Sequence, residues 1–257
     1  MGNKQSSATS SSNASIRQRF ERAGKTGILS LAGAGLKELP GVFEAGLGDN
    51  VIGNVRSLDL SGNKFTSLPS TIGGFSNVKM VNLANNAFTS LPSELFTLSK
   101  VETLNAAGNL LGLLPDAISN MTSLRTLNLS KNSLRSLPAS MGKLTNLRVL
   151  VVNGNRLTAL PPSIGNLSNL EELNADDNQI EVIPSEIAKC GEIKTIRVAG
   201  NRIEKEGVPS EVFTETKVTL VDLERNPIKD SDIQQIQGFD AYNARRKTRV
   251  DQTAPTI

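Results

Sequence analysis

The chain of 257 residues has no His, no Trp, one Cys, one Tyr and a formal net charge of +3. Without imidazole no Ser-His-Asp or Cys-His triad can be built, nor a zinc site that needs one, and a lone Cys190 excludes an internal disulfide framework. Hydrophobic residues at 38% allow a buried core, while aromatics at 4% leave it mainly aliphatic and supply no stacking platform for single-stranded nucleic acid.

The chain opens MGNKQSSATSSSNAS. This start lacks the apolar stretch of a secretory signal, and no apolar run in the chain approaches the roughly 18 residues needed to cross a bilayer. A cytoplasmic location is therefore expected, in which the sequons at Asn13, Asn120, Asn128 and Asn166 carry no glycan. Gly2, exposed once Met1 is removed, and Ser6 match the N-myristoylation pattern. Residues 1–15 read as a disordered, Ser-rich tether reaching roughly 20 Å as a coil.

One myristoyl chain binds membranes only marginally, so a second signal is expected. No Cys lies near Gly2, which leaves charge. Residues 1–27 hold Lys4, Arg17, Arg19, Arg22 and Lys25 against Glu21, a balance of +4. Residues 240–257 hold a balance of +2, and the body between the two ends is about −3. Basic ends of this kind suit an anionic inner leaflet, and phosphorylation of the tether serines would repel it.

Residues 16–25 read as a short capping helix, with Ser15 as N-cap, Ile16, Phe20 and Ala23 on one face, and Gly24 at its end. From residue 26 to about 230 the chain repeats itself. Asn63, Asn86, Asn109, Asn132, Asn155, Asn178 and Asn201 recur every 23 residues, and Asn226 follows after 25. Three, five and eight positions before each Asn stands an aliphatic residue or Ala, as in Leu124, Leu127 and Leu129 before Asn132. A Leu-Pro or Ile-Pro pair follows, from Leu68-Pro69 to Ile183-Pro184. A degenerate first unit has Ala34 at the Asn position, and the eighth has Gly207 where Pro is expected. Atypical outer units among nine are the behaviour of capping repeats.

Each Leu-x-Leu step predicts a short strand, because period two sends both leucines to one face. Stacked in parallel at roughly 4.8 Å, nine strands span about 40 Å of concave surface. The repeated Asn turns inward, where its amide serves backbone groups leaving the strand. The Pro turns the chain to the convex side, where segments such as residues 163–167 form loops or short helices. Cys190 takes a position held elsewhere by Leu98, Met121, Leu144 and Leu167, and is expected to be a core thiol. Residues 231–257 read as a second capping helix and a basic tail. Asp230 or Ser231 is its cap, Ile233, Ile236 and Phe239 its inner face, and Tyr242 lies near its exit.

The pattern L-x-x-L-x-L-x-x-N-x-L resembles the leucine-rich repeat in its cytosolic 23-residue form, and the repeats are similar to those of the Ras-group leucine-rich repeat proteins. The stretches Met1-Gly2-Asn3, Glu21 to Gly27 and Gly238 to Tyr242 strengthen the resemblance to small lipid-anchored members. The Ser-rich insertion at 6–15 and the glycines of the first convex segment (Gly41, Gly46, Gly48, Gly53) are departures from it. The resemblance implies an α/β horseshoe solenoid of about nine repeats, a lipid on Gly2, protein binding, and no catalytic, cofactor or metal residue.

Side chains six, four and two positions before each Asn are expected on the concave face. The middle position gives Asp59, Asn82, Asn105, Asn128, Val151, Asn174, Arg197 and Asp222. Three successive asparagines make a neutral ladder suited to peptide amides. Beside them lie Arg125 and Arg148, then Glu171, Glu172, Asp176 and Asp177, then Arg197. The candidate partner-binding set is Asn82, Asn105, Asn128, Arg125, Arg148, Glu172, Asn174, Asp176 and Arg197. Its mixed signs fit a protein partner and argue against nucleic acid, which calls for one basic stripe. The plainer alternative is a solvated sheet whose asparagines bond one another.

Two functions follow. One is a membrane-tethered, non-catalytic adaptor. The other is a regulatory subunit or inhibitor of a signalling enzyme in a small-GTPase pathway. An enzyme has no support, since Lys131 belongs to the repeat and not to a phosphate-binding loop.

Overall fold

The computed structural model describes residues 5–39 and 49–253. Nine strands form one parallel sheet in chain order: β1 (Ile28–Ser30), β2 (Ser57–Asp59), β3 (Met80–Asn82), β4 (Thr103–Asn105), β5 (Thr126–Asn128), β6 (Val149–Val151), β7 (Glu172–Asn174), β8 (Thr195–Arg197) and β9 (Leu220–Asp222). The central residues Leu29, Leu58, Val81, Leu104, Leu127, Leu150, Leu173 and Ile196 are buried. They pair in register, Leu104 with Leu127 and Leu127 with Leu150. A one-residue slip would turn this whole row to solvent, so burial fixes the register. The architecture is the solenoid expected from the repeat.

On the convex side a 3-10 turn follows each Leu-Pro or Ile-Pro pair, from Ser70–Gly74 to Ser185–Lys189. The prolines preceding these turns sit at φ between −63° and −73°. The ring presets that angle, and the Pro carbonyl accepts the first turn bond, as from Ile164 to Pro161 at 2.9 Å. Ile164 and Leu167 then pack inward as expected. The core is less purely aliphatic than composition suggests, because Phe65, Phe75, Phe88, Phe96 and Phe213 are fully buried in it. Phe65 and Phe88, on successive repeats, stack at 6.3 Å. Cys190 is a core thiol. It donates to the Ile164 carbonyl at 3.2 Å, and burial pushes its pKa up to about 11, away from the reactive thiolate.

The Asn column joins neighbouring repeats. The Asn132 amide donates to Leu129 and Ser130 of its own unit and to Ala106 of the unit before, all within 3.2 Å. Its carbonyl oxygen accepts the N–H of Leu111 at 3.0 Å. The same four contacts recur, with small changes in length, at Asn63, Asn86, Asn109, Asn155, Asn178 and Asn226. At Asn201 they link to Ala175, Val198, Ala199 and Ile180.

Both ends differ from the sequence reading. The first helix, α1, runs Gln5–Thr26, so it begins before Ser15, which lies inside the helix and does not cap it. Ile16, Phe20 and Ala23 are buried as expected. Gly24 does not end the helix. It lets α1 approach α2 (Asp49–Asn54), where an added Cβ would lie 3.2 Å from Val51. Gly27, at φ +73°, is the terminator, and its N–H donates to Ala23 at 2.8 Å. Gly53 lies in α2, whereas Gly41, Gly46 and Gly48 fall outside the described residues.

The eighth unit replaces its Pro turn with a 3-10 turn at Lys205–Gly207 and the short α3 (Glu211–Thr214). The C-terminal cap is two helices, α4 (Asp230–Gln234) and α5 (Phe239–Thr253). Gly238 at φ +86° separates them, packed against Phe213 and Thr214 where no Cβ would fit. Lys229 is the residue before α4, so Asp230 opens the helix and does not cap it.

Candidate functional site

The concave face is built by the alternation of each strand. Leu104 and its equivalents turn inward, so Asn82, Asn105 and Asn128 stand side by side on β3, β4 and β5. Each accepts the N–H two residues on, from Ala84, Ala107 and Ser130, at 3.0–3.2 Å. Asn174 does the same for Asp176, as do Asp59 and Asp222 for Ser61 and Glu224. The asparagines therefore do not bond one another, and their carbonyl oxygens are used by their own chain. Among the described residues the amide nitrogens of Asn82, Asn105 and Asn128 meet no protein acceptor. What remains is a row of amide donors one strand apart, about 4.8 Å. Val151 interrupts that row on β6.

Arg125 and Arg148 are not on this face. They stand one residue before β5 and β6, in a column along the entry edge of the sheet. There Lys79, Glu102 and Arg125 form one set of ion pairs, at 2.8 and 3.7 Å. Arg148, Glu171 and Lys194 form a second, at 2.9 and 2.8 Å. The hydrogen bond from Lys79 holds Glu102 below the usual carboxylate range, and that from Lys194 does the same for Glu171. The cations are exposed and the two glutamates half-exposed, so the pairs set the pattern of charge more than the stability.

The acidic end lies on β7 to β9. Glu172 pairs with Arg197 across adjacent strands at 3.0 Å. Asp176 accepts the Ala199 N–H of the next repeat at 2.7 Å. Burial raises its pKa, and the nearby charges of Asp222 and Asp177 add to this against the lowering effect of the Ala199 bond and Arg197. The ionised native state is thus disfavoured, and stability from this group falls as pH rises through and just above the ordinary carboxylate range. Asp176→Asn keeps an acceptor for Ala199 and removes the charge. It is expected to raise the melting temperature at pH 7, with the gain shrinking as pH falls and wild-type Asp176 becomes protonated. A gain that persists unchanged at pH 3 would contradict this.

One column was not anticipated. The residue before each repeated Asn has a left-handed backbone, with φ +53° to +56° at Asn85, Lys131, Asp177 and Arg225. Gly62, Gly108, Gly154 and Gly200 take the same position at +66°, +66°, +67° and +64°. Beyond Gly62 glycine and larger residues alternate. A Cβ on Gly108 would lie on the Asn85 amide oxygen, and one on Gly200 would meet the Asp177 carboxylate. Asp177 thereby reaches Arg225 over Gly200, at 2.8 Å and 48 residues apart. The alternation of Gly and non-Gly was the signal in the sequence.

The basic ends are also partly used. Arg19 donates to the Ser30 carbonyl at 3.2 Å, and Arg245 to those of Phe213 and Val218 at 2.9 and 3.2 Å. The ends cap opposite edges of the nine-stranded sheet, so they form two patches and not one. Gly2 lies outside the described residues. Among the described residues no helix is long and apolar enough to cross a membrane.

Two family descriptions match the sequence. A leucine-rich repeat region covers residues 50–156, and a two-copy leucine-rich repeat unit covers residues 145–185. Together they span over half of the chain. The chain belongs to the leucine-rich repeat family. Its repeats are similar in structure to those of the Arabidopsis receptor kinase HAESA, solved with the peptide hormone IDA and the co-receptor SERK1 (30% identity, TM-score 0.61, 70% of this chain and 31% of that one). They are similar too to the plant peptide hormone receptor RGFR1, solved with RGF2 (28% identity, TM-score 0.62, 70% of this chain and 30% of that one). Internalin C2 of Listeria monocytogenes shares the fold at 21% identity and TM-score 0.67, over 79% of this chain and 83% of that one. The chain spans about a third of the length of the plant receptors it matches. In this leucine-rich repeat protein the candidate residues divide into a concave donor row (Asn82, Asn105, Asn128), a charged far end (Glu172, Asn174, Asp176, Arg197), and an entry edge (Arg125, Arg148).

Proposed function

We propose that the chain is a non-catalytic adaptor that binds a protein segment on its concave face and is held at the inner leaflet by a myristoyl group on Gly2. The observation that carries the binding part is the row of amide donors on Asn82, Asn105 and Asn128, whose carbonyl oxygens already serve their own backbone. A row of amide donors can serve the carbonyls of a peptide lying across the strands, and the adjoining Glu172 and Asp176 favour a basic group beyond them. Structures with bound peptide hormones among the similar solenoids support the same use of the fold.

The lipid part rests on Met1-Gly2-Asn3 and on the exposed Arg17, Arg22 and Lys25 of α1, positive charges that follow Gly2 closely in the chain. In its two ends and its 23-residue repeats the chain resembles leucine-rich repeat-containing protein 57, and that resemblance implies a lipid anchor. The test is membrane fractionation of wild type and Gly2→Ala, with proximity labelling of both and of an Asn82→Ala, Asn105→Ala, Asn128→Ala triple variant. Gly2→Ala is expected to move to the soluble fraction, and the triple variant to keep its membrane fraction while losing its labelled partner. Gly2→Ala remaining membrane-bound would end the anchor reading. If the labelled partner is an enzyme whose rate changes on adding the purified chain, the protein is a regulatory subunit and not a passive adaptor.

A further inference from the structure

Every repeat hands backbone donors to the repeat that follows. In the eighth, the Val198 N–H donates to the Asp222 carbonyl at 3.0 Å and the Gly200 N–H to that of Glu224 at 2.8 Å. Leu223 and Arg225 hold the same two positions in the last repeat. Among the described residues neither N–H has a protein acceptor. One rung earlier, the Val221 N–H is taken by the Tyr242 hydroxyl at 3.0 Å, in place of a carbonyl from a further strand. The sheet's other edge is treated differently. There Arg19 of α1 donates to the outer carbonyl of Ser30, and Thr26 accepts from Ile28.

Beside the two open rungs lies a cavity of about 430 Å³ between β9 and the helices α4 and α5. Val221, Leu223, Ile233 and Phe239 give it an apolar side, and Tyr242 and Arg246 help to close it. Phe213, Phe239 and Tyr242 pack at 5.0–5.9 Å and form its inner wall. On the concave side of the same edge stand Asp222 and Glu224. Arg225 next to them is already paired with Asp177.

We infer that the β9 edge takes an extended segment of a partner protein as a tenth parallel strand. Its carbonyls accept from Leu223 and Arg225. Its alternate aliphatic side chains enter the cavity, and basic side chains between them face Asp222 and Glu224. Charge selects this occupant over a second copy of the chain. Two β9 edges paired with each other would set Asp222 and Glu224 against their own kind, and like charges across strands are destabilising. An isolated edge of this kind is normally covered or blunted, and here two rungs beyond Tyr242 are neither.

This site is independent of the concave donor row, and the test keeps the two apart. The full chain is titrated with the nine-residue peptide KVKVKVKVK, and amide exchange is followed residue by residue by NMR. In the free chain the amides of Leu223 and Arg225 are expected to exchange at least about a hundredfold faster than those of Val198 and Gly200, which sit in the ladder. The peptide is expected to slow Leu223 and Arg225 by at least about tenfold and to leave the amides of β3 to β5 unchanged. Gln234→Trp, at an exposed position on the cavity rim, is expected to weaken the peptide by about tenfold or more, and EVEVEVEVE to leave Leu223 and Arg225 unprotected. The inference is overturned if Leu223 and Arg225 are already as slow as Val198 and Gly200, if the peptide leaves them unprotected, or if it protects β3 to β5 instead. It is equally overturned if Gln234→Trp binds the peptide as wild type does, or if the acidic peptide protects the same amides.

Discussion

Asn132→Ala is expected to destabilise the protein by roughly 1–3 kcal/mol, and Asn128→Ala by less than about 1 kcal/mol, though the two residues lie four apart on one strand unit. The difference is one of burial and of what each side chain leaves behind. Removing the Asn132 amide strands the carbonyls of Ala106 and Leu129 and the N–H of Leu111, at the junction of two repeats. No solvent reaches in to replace the amide, because Asn132 is buried. Asn128 serves only the N–H and hydroxyl of Ser130, and it is half-exposed, so water takes over part of its role. Urea denaturation of the two variants measures the difference. Equal midpoints would mean that the Asn column is not the seam between repeats.

Gly165→Ala is expected to cost about 1–3 kcal/mol through overpacking, while Gly191→Ala stays within about 0.5 kcal/mol of wild type. A Cβ on Gly165 would run into the backbone carbonyl of Glu186 in the next 3-10 turn, and would lie 2.9 Å from the Glu186 Cβ. A backbone group packed between turns cannot swing aside as a side-chain tip can. Gly142 stands in the same relation to Ser163, at 2.7 Å from its carbonyl oxygen. Gly191 has no heavy atom within 4 Å of an added Cβ and no left-handed backbone, so it tests composition against geometry. Thermal unfolding of both single variants checks this, and comparable losses would show that the turns are not in close contact.

The strands and the Asn column were legible because each depends only on spacing within one repeat. Leu127 had to turn inward if Leu104 and Leu150 did, since burial of one face leaves a period-two strand a single register. Cys190 was legible for the same reason, as it replaces Leu167 one repeat on. The candidate site was legible only in part. Asn82, Asn105 and Asn128 stand side by side on neighbouring strands, but their carbonyl oxygens are already committed to the backbone two residues ahead. Arg125 and Arg148 were assigned to the face, and they stand on its edge because they precede the strand by one residue. Ser15 and Gly24 looked like helix ends by local preference. The buried contacts of Phe20 and Ala23, and the close approach of Gly24 to α2, carry the helix past Gly24, and Gly27 ends it instead.

The sequence by itself determined the repeat, its parallel sheet, its buried rows and the amide seam, because a 23-residue period makes every unit answer the same burial problem as its neighbour. The tertiary structure decided which polar side chains are free. Arg19 and Arg245 are spent on backbone carbonyls, Asp177 reaches Arg225 over an intervening glycine, and Tyr242 closes one rung of the last strand and leaves two open. Those outcomes turn on distances between groups 11 to 48 residues apart, set by how far each side chain reaches once the repeats are stacked. No spacing along the chain carries that information.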